Sequence, residues 1–192
     1  AVRGLASMHA QYWNDPKLDE PDALYQFSDW APIYEPSIAS GWPLFEGDFS
    51  DLIPEAMHPM FAPGNQMAGP IFHYFSQNRP KTLLHGDARM ENICFDPVTG
   101  KPRMYDWQLA AAGPGAYDLM YFFANSIEPA ELFDVGPGLI KNYHAALVAG
   151  GVTDYPLADL MQDLQLSAFL LFGFARMVGN FLAGGGETER SI

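Results

Sequence analysis

The sequence predicts a mostly α domain of the α+β class, a helical core that carries one small β-hairpin. Three observations lead there. Apolar residues recur at helical spacing in several stretches. Only two short segments, Asn92–Phe95 and Arg103–Tyr105, read as strands, and a tight turn joins them. The chain has 192 residues, 48% of them hydrophobic, enough for one domain of ordinary size with a real core.

The elements follow in order. Leu5, Met8, His9, Tyr12 and Trp13 share one face of a helix that starts almost at the first residue. A helix that opens a chain without lead-in, and without an initiator Met, leads us to expect a missing upstream part. Asp15–Pro21 is polar and bounded by prolines, a loop. Leu24–Ile38 is rich in Trp, Tyr and Phe and reads as short helices around a turn. Trp42–Met67 holds further prolines and glycines, with a helix expected near Phe49–Met57. Ile71–Gln77 is helical and stops before Arg79-Pro80. Thr82-Leu83-Leu84 is a short apolar run into His85-Gly86-Asp87. Asp96-Pro97-Val98-Thr99-Gly100 is the hairpin turn, since Pro fixes φ and Gly permits unusual φ. Ala116–Asn125 is a helix with Leu119, Phe122 and Phe123 inward. Pro137–Ala149 is another, closed by Gly150-Gly151. Leu157–Phe181 is a long apolar helix in the core, and Gly184–Ile192 is a tail. There are no repeats.

Lys plus Arg number 10 against 23 Asp plus Glu, a net charge of -13. Nucleic acid and anionic membranes need basic surface, so neither is an expected partner. The charge suits a soluble surface, or a cationic substrate. Cys94 is the only cysteine, which excludes a disulfide within the chain and makes the cytoplasm the default compartment. It lies in the apolar run Ile93-Cys94-Phe95, so a buried filler is expected. The apolar stretch Leu164–Leu171 is too short to span a membrane.

Three polar residues gather at the ends of the hairpin. Asp87 precedes the first strand, Asn92 opens it, and Asp106 ends the second. Antiparallel pairing brings the start of one strand beside the end of the other, so Asn92 and Asp106 are expected as neighbours under the Asp87 loop. Carboxylate and amide oxygens grouped this way suit a hard cation such as Mg²⁺, with a phosphoryl donor completing its shell. Protein kinases space a catalytic Asp and a metal-binding Asn five residues apart, followed by a metal-binding Asp. His85-Gly86-Asp87-Ala88-Arg89-Met90-Glu91-Asn92 and Asp106-Trp107-Gln108 keep that spacing.

On these residues the chain resembles the C-terminal lobe of the aminoglycoside phosphotransferase and choline kinase superfamily. "LLHGDARMENICFD" and "RMYDWQLAAAGPGAYDLMYFF" carry the likeness, and "GLASMHAQYW" is similar to the lobe's first long helix. The Asp-Trp-Gln variant resembles a bacterial branch that includes relatives of the ecdysteroid and small-alcohol kinases. The resemblance implies a protein-kinase-like C-terminal lobe over residues 1–192. It implies Asp87 as the group that orients and deprotonates an acceptor hydroxyl. Asn92 and Asp106 would hold Mg²⁺ against the phosphates of ATP or GTP. The residue matching Asp118 is structural in that family, fastening the catalytic loop through backbone amides. The acceptor would be a small hydroxylated molecule, its pocket shaped by Phe27–Phe75 and the C-terminal helices.

Two departures matter. No Gly-rich phosphate loop and no Lys–Glu clamp precede the motif, so the nucleotide-binding N-terminal lobe is absent and the chain alone is expected to be inactive. Gly86 replaces the Arg of the protein-kinase motif, which argues against control by an activation-loop phosphate. His85 is expected to position the loop by hydrogen bonding. Arg89 has two readings: contact with the transferred phosphate or an anionic acceptor, or an ion pair with Glu91 or a scaffold carboxylate. Glu91 reads as loop support. Gln108 reads as structural, or as support for the metal shell or substrate. His9, His58, His73 and His144 lack zinc spacing and read as ordinary histidines. Trp13, Trp30, Trp42 and Trp107 read as packing, or as walls of an acceptor pocket. The competing class is a degenerate kinase-like module that serves as a binding scaffold.

Overall fold

A computed structural model of the chain describes residues 1–21, 24–36 and 58–171, with side chains of 58–66 excepted. Helix α1 spans Val2–Gln11 and buries Val2, Leu5, Ala6 and His9, one face at i, i+3, i+4 and i+7. The expected loop after it contains a 3-10 turn, Pro16–Asp19, with the Asp15 carboxylate accepting from the Lys17 N–H at its start. Strand β1, Tyr25–Gln26, leads into a 3-10 turn, Phe27–Trp30, and a helical stretch, α2, over 31–36. The helix expected at Phe49–Met57 lies outside the described residues, as do 172–181 of the last helix, the tail after it, and Trp42.

Helix α3 covers His58–Asn78, well beyond the Ile71–Gln77 read from the sequence. Three of its residues are proline, Pro59, Pro63 and Pro70, and these are what hid it. Strand β2 is Thr82–Leu84, β3 is Ile93–Phe95, β4 is Pro102–Met104 and β5 is Ala111–Gly113. Helix α4 spans Gly115–Ser126 and α5 spans Pro129–Ala149. Pro137 therefore lies inside α5 rather than at its start. Gly150 caps it, and Gly151 takes a φ of 101° that a side chain resists. Helix α6 runs over 157–171.

The single-hairpin picture needs correction. The hairpin exists, with Ile93 opposite Met104 and Phe95 opposite Pro102. Beside it stands a three-stranded sheet in the order β1-β5-β2, with β1 parallel and β2 antiparallel to β5. Its strands are two or three residues long, too short for alternation to declare them. Cys94 also departs from expectation, because it is exposed. The two-stranded hairpin buries Ile93 alone of its first strand and leaves Cys94 and Phe95 outward.

Two apolar clusters fill the domain. One joins α1, α4, α5 and α6 around Leu5, Leu119, Tyr143, Leu147 and Leu160. The other is aromatic and joins the 3-10 turn, α2 and α3 around Phe27, Trp30, Tyr34, Phe72 and Tyr117. Helix α4 serves both, with Leu119, Phe122 and Phe123 in the first and Tyr117 and Tyr121 in the second. Among the described residues no helix is long and apolar enough to cross a membrane.

A buried polar clasp ties the end of α3 to α6. Arg79 Nε donates to Asp163 Oδ2 at 3.0 Å, and its Nη1 donates to Asp159 Oδ2 at 3.1 Å. Tyr155 donates to Asp163 at 2.6 Å, and the guanidinium lies 5.5 Å from the centre of the Tyr155 ring. Burial holds the Asp163 carboxyl above the usual range, while Tyr155 and Arg79 work against it. Removing the cation leaves that carboxylate buried without its partner. Arg79→Met is therefore expected to destabilise the fold by about 3 kcal/mol in urea unfolding. A loss below about 1 kcal/mol would show that the clasp adds little beyond packing.

Candidate functional site

The residues from His85 to Asn92 leave β2 as a tight loop and enter β3 through a 3-10 turn, Met90–Asn92. Ala88 is buried in the first core cluster and pins the middle of that loop. Ser126 Oγ at the end of α4 accepts the Met90 N–H at 3.0 Å. The hairpin turn holds the far end. The Asp96 carboxylate accepts from the Val98 and Thr99 N–H groups at 3.0 and 2.8 Å and pairs with Arg103. Those backbone bonds, Thr99 first, hold the Asp96 carboxyl below its ordinary value.

Asp118 lies in the first turn of α4 with no exposed surface. Its Oδ2 accepts the His85 N–H at 2.6 Å and its Oδ1 accepts the Gly86 N–H at 2.9 Å. His9 Nε2 stands 3.3 Å from the same carboxylate, and His9 Nδ1 lies 2.6 Å from the Tyr143 hydroxyl. One carboxylate thus joins the loop to α1 and, through His9, to α5. Burial, then the Asp118 charge, pushes the Tyr143 phenol well above its ordinary value. A carboxylate at a helix N-terminus is also favoured by the helix dipole.

Gly86 is required twice over. Its φ is 82°, and a Cβ there would overlap the Leu109 carbonyl oxygen. The loop is therefore pressed onto the segment that follows Asp106. His85 makes the second link: its Nε2 donates to the Tyr105 carbonyl at 2.9 Å, and its Nδ1 accepts the Asp87 N–H at 3.3 Å. Both ring nitrogens are used, which fixes the tautomer as the Nε2–H form.

Asp87 is 7% exposed. Asn92 Nδ2 donates to its Oδ2 at 2.8 Å and to its backbone carbonyl at 3.0 Å. Asp87 Oδ1 is buried and makes no hydrogen bond. Both amide hydrogens of Asn92 are occupied, so Oδ1 is the Asn92 atom left to accept or to ligate. The hairpin register carries the Asn92 carbonyl to the Tyr105 N–H at 3.1 Å, one residue before Asp106. Asp106 is exposed and has a φ of 65°, a left-handed conformation that Asp tolerates better than most residues. That reversal ends β4 and turns the chain out of the hairpin.

Arg89 is 44% exposed, with its Nε 3.4 Å from Asp87 Oδ2. Its carboxylate partner is Asp87 rather than Glu91. Glu91 is exposed and lends its backbone carbonyl to the Tyr105 hydroxyl. Gln108 lines two adjoining cavities. Trp107 donates to the Met104 carbonyl at 3.1 Å and rests its ring 4.7 Å from His85. Trp13 packs on Tyr155, and Trp30 lies in the aromatic cluster.

Among the described residues no three His, Cys, Asp or Glu side chains group closely enough to hold a metal by themselves. Asn92 Oδ1 and the Asp106 carboxylate are the donors that the sequence analysis assigns to a metal. These are hard oxygen donors that fit Mg²⁺, an ion that keeps waters and takes phosphate oxygens for the rest of its shell.

Tyr121 was missed in the sequence. It lies one helical turn beyond Asp118 on the same face of α4, and that spacing was the available signal. It is 6% exposed, and its hydroxyl meets the Asp87 carboxylate. Burial, then Asp87, raises its phenol above the ordinary value.

A family model described as the ecdysteroid kinase-like family matches residues 43–151, more than half of the chain. The match includes the 85–92 loop, the hairpin, Asp118 and all of α5. No curated protein matches the chain.

Asp118→Asn tests the fastening. Whichever way the new amide turns, an NH₂ faces a backbone donor, and one buried N–H loses its acceptor. We expect a loss of about 2 kcal/mol or more in chemical denaturation. Stability within about 0.5 kcal/mol of the wild type would show that the loop is held elsewhere.

Proposed function

Because the chain belongs to the ecdysteroid kinase-like family, a family of kinase-like phosphotransferases, we propose that it moves a phosphoryl group from a nucleoside triphosphate, ATP or GTP, to a hydroxyl of a small molecule. Asp87 carries this reading. One carboxylate oxygen is held by Asn92, and the other is buried without a hydrogen bond. A buried acceptor atom without a donor is costly unless a donor arrives. An acceptor hydroxyl supplies one.

Asp87 Oδ1 takes the hydroxyl proton as the new O–P bond forms and the donor's terminal P–O bond breaks, leaving a nucleoside diphosphate. Asn92, with both amide hydrogens committed to Asp87, keeps the carboxylate aimed. Asn92 Oδ1 and Asp106 would hold Mg²⁺, which when bound supplies charge neutralisation at the donor phosphates. Arg89 brings a guanidinium fork beside the carboxylate, suited to the charge on a phosphoryl group in transfer. His85 and Asp118 act through the backbone and keep the base and the metal ligand in one frame. The work is positioning and electrostatics.

The reading extends the family further. We place the chain beside the aminoglycoside phosphotransferases and choline kinases, with residues 1–192 as a C-terminal lobe that the same protein's nucleotide-binding lobe closes. The lobe by itself is expected to turn over little nucleotide.

In the full-length protein, Asp87→Ala is expected to lower kcat at least about 100-fold, the usual worth of a positioned base. Its melting temperature should stay within a few degrees of the wild type. Retention of wild-type turnover would remove Asp87 from this role.

A further inference from the structure

Helix α4 reaches the catalytic loop twice. Asp118, in its first turn, accepts the N–H groups of His85 and Gly86 and so sets the backbone just before Asp87. Tyr121, one turn further on, bonds through its hydroxyl to the Asp87 carboxylate. Between a phenol and an ionised carboxylate the phenol donates. The phosphoryl transfer described above uses that carboxylate and leaves Tyr121 without a part.

Two other partners of the carboxylate tie it less firmly to the frame. Asn92 Nδ2 donates to Asp87 Oδ2 at 2.8 Å, and the same amide donates to the Asp87 carbonyl at 3.0 Å. Those bonds fasten the side chain to its own loop. Arg89 Nε stands 3.4 Å from Oδ2 with 44% of its side chain exposed. A solvent-exposed pair of that length restrains little. Tyr121 differs from both. It is 6% exposed and belongs to the aromatic cluster, its ring 6.1 Å from that of the fully buried Tyr117. Its hydroxyl is therefore placed by the core, independently of the loop. Tyr121 also borders a cavity of about 380 Å³, with Gly86, Trp30, Ile33, Tyr34 and Leu109. That space lets the hydroxyl be removed without repacking the ring.

We propose that Tyr121 is a positioning residue for the reaction: its hydroxyl anchors the Asp87 carboxylate to α4, so that Asn92 and Tyr121 hold the base from two different elements. The proposal rests on the phosphoryl-transfer reading above and adds a residue to that site. The terminal torsion of an Asp side chain is broad, so a carboxylate held by one partner still swings. A second donor on a separate element stops the swing. It keeps Oδ1, the atom that receives the proton, turned toward the same point. A displacement of about 1 Å near the chemistry costs on the order of 100-fold in rate, so a lost anchor shows in kcat. In this role Tyr121 takes no proton and binds no phosphate, and it acts through Asp87.

The test uses the full-length protein and MgATP, with water and glycerol as acceptor hydroxyls and release of nucleoside diphosphate as the readout. Tyr121→Phe is expected to lower kcat at least tenfold, with KM for MgATP within twofold and a melting temperature within a few degrees of the wild type. In the Asp87→Asn background the same change should cost less than twofold, because the group it acts on is gone. A second readout needs no turnover. In protein labelled with carbon-13 at the tyrosine Cζ, the Tyr121 resonance is assigned by its loss in Tyr121→Phe, and it should move in Asp87→Asn. Wild-type kcat in Tyr121→Phe overturns the proposal. So does a raised KM at unchanged kcat, which makes Tyr121 a binding residue, and so does a tenfold loss that persists in full in Asp87→Asn. If the wild type releases no diphosphate, the phosphoryl-transfer reading fails. A Tyr121 resonance displaced by Asp87→Asn then upholds the anchor, and an unmoved one overturns it.

Discussion

The carboxylate of Asp118 is the constraint on which the rest of the site depends. It accepts two consecutive backbone N–H groups, those of His85 and Gly86, in a place without water. Such a bond pair is shorter and stronger than a neutral one, and it fixes a backbone direction rather than a side chain. Everything downstream inherits that direction. Gly86 can then lie against the Leu109 carbonyl, His85 can reach the Tyr105 carbonyl, and Asp87 follows at the one angle those contacts leave. The His9 and Tyr143 side chains surround the same carboxylate, so three helices share its burial.

Helix α4 gives this arrangement its stiffness. It carries apolar residues into both clusters and puts Asp118 and Tyr121 on the face toward the loop. A charge could not sit there without neighbours that supply donors, and the loop's backbone supplies them. The aromatic cluster on the other side places Trp30 and Tyr34 beside the loop through the Phe27–Trp30 turn. Both are buried, and Tyr34 bonds Tyr117 at 3.2 Å. One side of the cavity wall, Trp30, Tyr34 and Tyr121, is thus part of the core, while Tyr25, Ile33 and Leu109 stand exposed.

Much of this was legible from local pattern. The helical spacing of Leu5, Met8, His9, Tyr12 and Trp13 announced α1, and the strand-turn-strand run announced the hairpin and hence the approach of Asn92 to the end of β4. The spacing of Asp87 and Asn92 matched the kinase pattern, but the hydrogen bond between them was not foreseen. What escaped was non-local or too short. Strands β1, β5 and β2 are two or three residues each, and only their mutual pairing defines them. Pro59, Pro63 and Pro70 argued against α3, and tertiary packing prevailed over that local penalty. The Arg79 clasp joins residues about 80 positions apart in sequence, which no local pattern announces. Tyr121 was marked only by its spacing from Asp118, and its meaning depends on where Asp87 stands.

The contact between Gly86 and Leu109 has a consequence for how such a site can change over time. It is made by the Leu109 carbonyl oxygen, a group that every amino acid possesses. The Leu109 side chain, by contrast, is exposed at the cavity. Position 109 therefore separates two kinds of inheritance. Its backbone and Cβ lie against Gly86, while the outer part of its side chain faces the cavity and solvent. A substitution there that keeps a Cβ changes the edge of the cavity and leaves the backbone contact behind Gly86 in place.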